Sequence, residues 1–232
     1  MCAEEYVVMD AIEYMRESDI SPNFIHLDDA WGRPKRGKDF GVYYPTHDFE
    51  TTCKVVDLCM ELLEDGGWLV ADSDDWLLPR LINYIRKTHG DVTEDYQGGG
   101  YRKVGWVTYV NEGKVSSGRS GMYLSNGGYP VIFVHKGKTD KMSSESKSQI
   151  ARRPKNFGWC SVKPIEPYRR WIKALTNEGD LVFEPFAGTA PATIACGQLG
   201  RRAIAVDCQE GAFEAYEKRN EKYNRPSTNS LI

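Results

Sequence analysis

The chain has 232 residues, of which 41% are hydrophobic and 27% charged, with a formal net charge of −3. This length suits one well-buried domain, and the composition is ordinary for a soluble globular protein. No apolar run approaches the roughly eighteen residues of a membrane span, and the acidic N-terminus does not read as a signal peptide. The six cysteines show neither a Cys-x-x-Cys pair nor metal-ligand spacing, so we expect reduced thiols in a cytoplasmic protein without a metal.

Apolar, β-branched runs alternate with segments of helical period, which predicts an α/β protein with a mixed, mostly parallel sheet and helices on both faces. The predicted strands are 6–8, 24–27, 68–71, 102–110, 129–136, 181–183 and 202–206. The predicted helices are 10–16, 52–63, about 75–87, 166–176, a segment that ends at 199, and 212–223. We expect a single domain over 1–232, with a mobile insertion at 137–160 that is rich in Ser and Lys.

A tight turn of small residues joins a late strand to the helix after it. Phe186-Ala187-Gly188-Thr189-Ala190 lets a ligand approach the backbone, and Pro191 suits the first turn of a helix. Asp207 follows nineteen positions after Gly188, at the end of the next strand. In a doubly wound sheet a carboxylate there can reach a pair of ribose hydroxyls. A plain strand-to-helix connection remains open at this point.

The sequence segments around this turn resemble those of a known family. Six short segments follow one another without large gaps, namely Lys163-Pro164, Trp171 to Thr176, Gly179-Asp180, Glu184 to Gly188, Leu199-Gly200-Arg201 and Ile204 to Asp207. In this order they resemble the DNA amino-methyltransferases, which methylate adenine N6 or cytosine N4. The likeness is to the group whose catalytic motif precedes the cofactor motif. It departs at Ala190, where the family has a second glycine.

The resemblance implies a Rossmann-like fold and S-adenosyl-L-methionine as cofactor. Phe186 and Gly188 would line the cofactor, Asp207 would hold its ribose, and Lys163 would begin the segment that covers its methionine end. Asp10 inherits the role of an acid that faces the adenine of the cofactor, with a helix N-cap as an equal alternative. The whole expected cofactor set is Asp10, Lys163, Glu184, Pro185, Phe186, Ala187, Gly188, Thr189 and Asp207.

The catalytic motif is predicted at Asp28-Asp29-Ala30-Trp31, directly after an apolar strand. Exocyclic amines are poor nucleophiles, so a site must accept hydrogen bonds from both N–H groups and hold the ring flat. The tetrapeptide resembles the family's Asp-Pro-Pro-Tyr. Asp28 would accept one amine hydrogen, the carbonyl of Asp29 the other, and Trp31 would stack on a flipped base. Both prolines are missing, and an acidic strand end packed against an aromatic stays open.

Basic residues follow the tetrapeptide at Arg33, Lys35, Arg36 and Lys38, where they would contact the phosphates beside a flipped base in double-stranded DNA. A second basic stretch covers 136–155, where the family often has target-recognition material. It is short here, which indicates either a short target or help from a second subunit, as in a homodimer. Solvated loops are the alternative for both stretches. The four histidines are scattered without ligand-like neighbours, so structural or surface roles are favoured.

The leading hypothesis is a DNA methyltransferase of the restriction–modification type, of prokaryotic or viral origin. It would act on an exocyclic amine, with adenine N6 favoured over cytosine N4 because the motif opens with Asp rather than Ser. Two alternatives stay open: a weak or inactive DNA-binding partner subunit with the same fold, and an RNA amino-methyltransferase.

Overall fold

A computed structural model describes residues 4–29, 46–95, 97–112, 114–115, 127–141 and 143–224. Within them the strands are β1 (Glu4–Val8), β2 (Phe24–Leu27), β3 (Trp68–Asp72), β4 (Gly99–Asn111), β5 (Lys114–Val115), β6 (Gly128–Lys136), β7 (Gln149–Ala151), β8 (Leu181–Pro185) and β9 (Arg202–Asp207). The helices are α1 (Ala11–Glu17), α2 (Phe49–Leu62), α3 (Leu78–Thr88), α4 (Ile165–Leu175), α5 (Pro191–Leu199) and α6 (Glu210–Asn224).

The strands form one mixed sheet in the order β1-β9-β8-β2-β3-β6-β4-β5, and β7 pairs with β4. The strands from β1 to β3 in this order are mutually parallel, whereas β6 is antiparallel to both β3 and β4. From β8 the chain crosses to β9 on one side, and from β2 it crosses to β3 on the other. The carboxyl ends of β8 and β2 therefore flank a topological switch point, where open α/β sheets bind ligands.

The central strands are buried on both faces, and their side chains alternate between two cores. In β2, Phe24 packs into one core while Ile25 and Leu27 pack into the other. The first core lies beneath α4, α5 and α6, and the second lies beneath α1, α2 and α3. A parallel sheet covered by helices on both faces explains the near-continuous apolar runs in these strands.

The helix ends follow local capping chemistry. The Asp48 carboxylate accepts a hydrogen bond from the N–H of Thr51 at the start of α2, and Gly200 ends α5 at φ +72°. Helix α3 begins three residues later than predicted. The carboxylate of Asp74 accepts the N–H groups of Trp76 and Leu77 and so holds a turn ahead of the helix.

The predicted α/β class is confirmed, and every predicted strand and helix is present with small shifts at its ends. Strands β5 and β7 were not predicted, because they have only two and three residues, too few to show an alternation of apolar and polar side chains. Strand β7 lies inside the segment 137–160, for which the sequence predicted a mobile insertion. Among the helices described, none is long and apolar enough to cross a membrane.

Candidate functional site

The carboxyl ends of the central strands open onto a cavity of about 750 Å³. Its wall includes loops that follow β1, β2, β8 and β9, together with the segment 153–163 that leads into α4. Most residues of the predicted site line it, namely Asp10, Asp28, Asp29, Lys163, Phe186, Ala187, Gly188, Thr189 and Asp207. The fold thus brings the predicted cofactor turn and the first half of the predicted catalytic motif to one space.

The turn after β8 has an unusual backbone. Phe186, Gly188 and Ala190 have φ values of +56°, +52° and +46°, in the left-handed region that favours glycine. A Cβ on Gly188 would lie 3.2 Å from Nε1 of Trp159, closer than an ordinary van der Waals contact, so a side chain here would crowd the Trp159 ring. Ala190 adopts the left-handed conformation although it has a side chain. A glycine would adopt this conformation without strain, which explains why the family has a glycine at this position. The strain is concentrated where a ligand would meet the backbone.

Asp207 is fixed by this turn. Its Oδ2 accepts the N–H of Gly188 at 2.9 Å, and its Oδ1 accepts the N–H of Gln209 at 2.9 Å. Burial raises the pKa of the carboxyl, against the lowering effect of these two donors. The carboxylate therefore lies at the cavity wall in a defined orientation.

Glu184 has a different position from the other residues of the predicted cofactor set. Its side chain is buried, and its carboxylate accepts the N–H groups of Ala192 and Thr193 and the hydroxyl of Thr193. It thus caps the N-terminus of α5, where an anion is favoured by the free N–H groups. Pro185 is likewise buried in β8. Both residues support the turn from behind.

Asp10 is a helix N-cap in the cavity wall, and its contact with the adenine of a cofactor stays a prediction. Its Oδ1 accepts the N–H groups of Ile12 and Glu13, at 2.9 and 3.0 Å, which makes it the N-cap of α1. It also lines the cavity on the side of β1.

The structure describes the predicted catalytic motif as far as Asp29. The side chain of Asp28 is 27% exposed, and its Oδ1 accepts a hydrogen bond from Nζ of Lys163 at 2.9 Å. The carboxylate of Asp29 is buried; it pairs with His47 Nδ1 at 2.7 Å and accepts the hydroxyl of Thr52 at 2.6 Å. The hydrogen bond to Asp29 raises the pKa of His47. Ala30 and Trp31, with the basic residues Arg33, Lys35, Arg36 and Lys38, lie outside the described residues.

A buried polar cluster behind Asp28 was not predicted. Lys163 Nζ also donates to Asp72 Oδ2 at 2.8 Å, and the Tyr168 hydroxyl donates to the same oxygen at 2.6 Å. His26 lies between Asp72, at 3.5 Å from Nε2, and Glu184, at 2.7 Å from Nδ1. The signal was available in part, because Asp28 and Asp72 each directly follow a buried strand, and parallel strands share a carboxyl edge.

The cluster carries strongly perturbed charges. Burial disfavours the imidazolium of His26, but hydrogen bonds to Asp72 and Glu184 outweigh it and raise the pKa to about 9. Burial likewise opposes ionisation of Asp72, but Lys163 and His26 outweigh it and lower the pKa to about 2. The pKa of Lys163 is raised by Asp28 and Asp72 against the effect of burial. Such perturbed groups beside a cavity mark a candidate functional site.

Arg219 of α6 joins the cluster to the turn. Its buried guanidinium donates to the carbonyl and hydroxyl of Thr189 and to the carbonyl of Lys163. Among the described residues, no group of three or more His, Cys, Asp or Glu side chains is arranged to hold a metal ion. The cavity therefore has a glycine turn with an acid beside it on one side, and an acid–lysine cluster on the other.

These features define a Rossmann-like α/β protein with a ligand cavity at the switch point of its sheet. A sequence profile of the DNA methylases, the N6 and N4 amino-methyltransferases, matches residues 23–218. This match covers most of the chain, so the chain belongs to that family. The family predicted from the motifs is thereby confirmed.

Individual relatives are more distant. Type II methyltransferase M.HpaI of Haemophilus parainfluenzae is 36% identical over 63 residues, which are 27% of this chain. The match spans 20% of the length of that relative. The crystal structure of the M1.HpyAVI–SAM complex has a TM-score of 0.66 at 15% identity and covers 93% of this chain and 98% of that chain. PvuII DNA methyltransferase (cytosine-N4-specific) has a TM-score of 0.66 at 11% identity, with 97% and 93% covered. These likenesses confirm the predicted fold.

Proposed function

We propose that this protein binds S-adenosyl-L-methionine in the cavity and methylates an exocyclic amine of DNA, adenine N6 in preference to cytosine N4. The observation that carries the proposal is that Asp28 and the Gly188 turn line the same cavity. Family membership supports the reaction type, and a structural neighbour was crystallised with SAM.

The residues present fit the cofactor. The cavity volume of about 750 Å³ lies within the range of small-molecule sites. Gly188 leaves room where a Cβ would be crowded, and Asp207 offers a half-buried, oriented carboxylate for a ribose. When bound, the cofactor supplies an activated methyl group on a positively charged sulfur. The acids Asp10, Asp28 and Asp207 in the cavity wall suit a ligand that carries this charge.

Asp28 is the residue that contacts the target amine. Its carboxylate accepts a hydrogen bond from the amine and so orients the nitrogen toward the methyl group. Methylation requires the nitrogen to lose one proton, and the Asp28 carboxylate would accept it. The backbone carbonyl of Asp29 and the ring of Trp31 complete the proposed set, with Ala30 between them.

The preference for adenine rests on the Asp that opens the motif. PvuII DNA methyltransferase is described as cytosine-N4-specific, so the fold alone does not decide between the two bases. Double-stranded DNA with a flipped base is the proposed partner, contacted by Arg33, Lys35, Arg36 and Lys38. The protein would act in the cytoplasm of a prokaryotic host.

The segment 137–160 is the proposed region of target recognition. Arg153 lies over the ring of Tyr109 at 4.7 Å, and both residues line the cavity. Asn156 adds a polar side chain to the same wall. A basic and amide-bearing rim around an aromatic wall suits a nucleic-acid base and its phosphates.

The test is to incubate the protein with mixed-sequence DNA and methyl-labelled cofactor, digest the DNA and identify the labelled nucleoside by mass spectrometry. We expect N6-methyladenine, and its loss in Asp28→Ala. Asp19→Ala is the matched control, because Asp19 is an exposed acid away from the cavity. No labelled nucleoside from any DNA would refute the function, and full activity of Asp28→Ala would refute the assignment of the catalytic residue.

A further inference from the structure

We propose that Lys163 and Asp72 form a largely buried ion pair that positions Asp28 and favours its ionised form, so that both are positioning residues for the amine-binding carboxylate. The consequence for catalysis rests on the proposed function, whereas the effect on Asp28 itself does not. The resemblance to the family implied a different role for Lys163, at the head of the segment that covers the methionine end of the cofactor.

The sheet sets the two acids side by side. Strands β2 and β3 are parallel with Leu27 opposite Ala71, so Asp28 and Asp72 occupy equivalent positions at the same carboxyl edge. Nζ of Lys163 bridges them at 2.9 and 2.8 Å. It also lies 4.2 Å from the ring centroid of Tyr129, a distance at which an aromatic face attracts a cation. One ammonium group is thus held against two carboxylates and a ring.

The two carboxylates differ in how firmly they are held. The Asp72 side chain is 1% exposed and binds Lys163, Tyr168 and His26 through one oxygen. Its other oxygen, Oδ1, is buried and has no hydrogen-bond partner within the described residues. The Asp28 side chain is 27% exposed and faces the cavity. When a substrate amine arrives, Asp28 can turn to it while Lys163 stays compensated by Asp72.

The charge of Lys163 also affects the ionisation of Asp28. Burial raises the pKa of Asp28 above its ordinary value; Lys163 opposes this rise, and the like charge of Asp72 adds to it. A carboxylate must be ionised to accept the amine hydrogen and later its proton. The ionisable groups that face Asp28 from the packed elements are Lys163, Asp72, His26, Tyr109, Tyr129, Tyr168 and Cys160. Of these, Lys163 is the cation in direct contact.

The decisive measurement is the titration of the Asp28 carboxyl carbon by NMR in protein labelled at the Asp side chains, with the signal assigned by Asp28→Asn. In the double variant Lys163→Met/Asp72→Asn, the buried charge of Asp72 is removed together with its lysine partner, His26 keeps Glu184, and Asp28 is 27% exposed, which protects the fold. The pKa of Asp28 should rise by about one to two units, because the loss of the adjacent cation outweighs the loss of the more distant anion.

The single variant Asp72→Asn should shift the pKa of Asp28 in the opposite direction. It removes a like charge but leaves Lys163 paired with Asp28, so the pKa of Asp28 should fall below the wild-type value. Lys173→Met is the matched control, because Lys173 lies on the exposed face of α4. Its Asp28 titration should follow the wild type. An unchanged Asp28 titration in both cluster variants would overturn the proposal, whether or not the protein methylates DNA.

Activity provides a second, separate readout. In the double variant the acid limb of the pH profile of kcat should shift to higher pH by as much as the pKa of Asp28 rises. Below that pKa, kcat should fall about tenfold per pH unit. Calorimetric affinity for S-adenosyl-L-methionine should stay within a few-fold of the wild type, because the ion pair acts on Asp28. If the double variant lost affinity for the cofactor while the pKa of Asp28 stayed unchanged, Lys163 would be a cofactor-binding residue and the inference would be overturned. A wild type without activity but with the expected titrations would refute the proposed function alone.

Discussion

The stability of the protein should fall as the pH rises from 6.5 to 9, because His26 is protonated only in the folded state over this range. The ordinary pKa of a histidine is 6.5, and the carboxylates of Asp72 and Glu184 raise that of His26 to about 9. A group with a raised folded pKa contributes stability that is complete below the unfolded pKa and is lost as the pH passes the folded pKa. The imidazolium of His26 therefore stabilises the protein at neutral pH and not at pH 10.

The size of the effect follows from the shift. A difference of about 2.5 units at about 1.4 kcal/mol per unit amounts to roughly 3 kcal/mol. His47 adds to the same trend, since the hydrogen bond to Asp29 raises its pKa as well. His135 does not add to this trend, because burial lowers its pKa and the sign of its contribution is opposite.

The assay is urea unfolding followed by tryptophan fluorescence, repeated in steps between pH 6.5 and 9 for the wild type and two variants. In His26→Gln most of the pH dependence should disappear, leaving the smaller contribution of His47. In His135→Gln, a buried-histidine control, the wild-type slope should persist. A wild-type slope in His26→Gln would show that the imidazolium is not held by its two carboxylates, and the reasoning on the buried cluster would fail with it.

Three further substitutions test the turn and its support. Gly188→Ala should weaken calorimetric binding of S-adenosyl-L-methionine by about tenfold, because φ is +52° and a Cβ would meet Trp159; unchanged affinity would separate the turn from the cofactor. Arg219→Gln should lower the free energy of unfolding in urea by about 2 to 3 kcal/mol, because its buried guanidinium joins α6 to the turn. Thr193→Val should cost only about 1 kcal/mol in the same measurement, since one hydroxyl bond to Glu184 is lost while its backbone N–H remains. Equal losses in Arg219→Gln and Thr193→Val would contradict this ranking.

Much of the fold was readable because its elements carry local signals. The strand 24–27 was predicted at its observed bounds, since four buried residues end at two acids. The small residues of 186–190 predicted a tight turn between a strand and a helix, which is present, and Asp207 lies at the next strand end as expected. Strand β7 was missed because it exists only through pairing with β4, a contact between positions about forty residues apart.

The buried cluster was missed for a different reason. His26 has no ligand-like neighbour in the sequence, and its two carboxylates come from adjacent strands that the chain reaches much later. Lys163 was assigned by resemblance to the cofactor side, and its distance from Asp72 along the chain hides their contact. Only the sheet order, with β2 between β8 and β3, brings the three acidic strand ends around one histidine.

The same contacts bear on the missing prolines of the catalytic motif. Prolines stiffen a turn by restricting its backbone, and without them the carboxylate and carbonyl proposed to bind the amine need another support. Asp29 is held through both carboxylate oxygens, by His47 and Thr52, and Asp28 is held by Lys163. Side-chain hydrogen bonds to buried partners can fix a strand end as firmly as a restricted φ, provided that every partner is itself held. The departure of the motif from its family is therefore compatible with a preorganised site, and Asp29, the residue in place of the first proline, supplies part of the compensation.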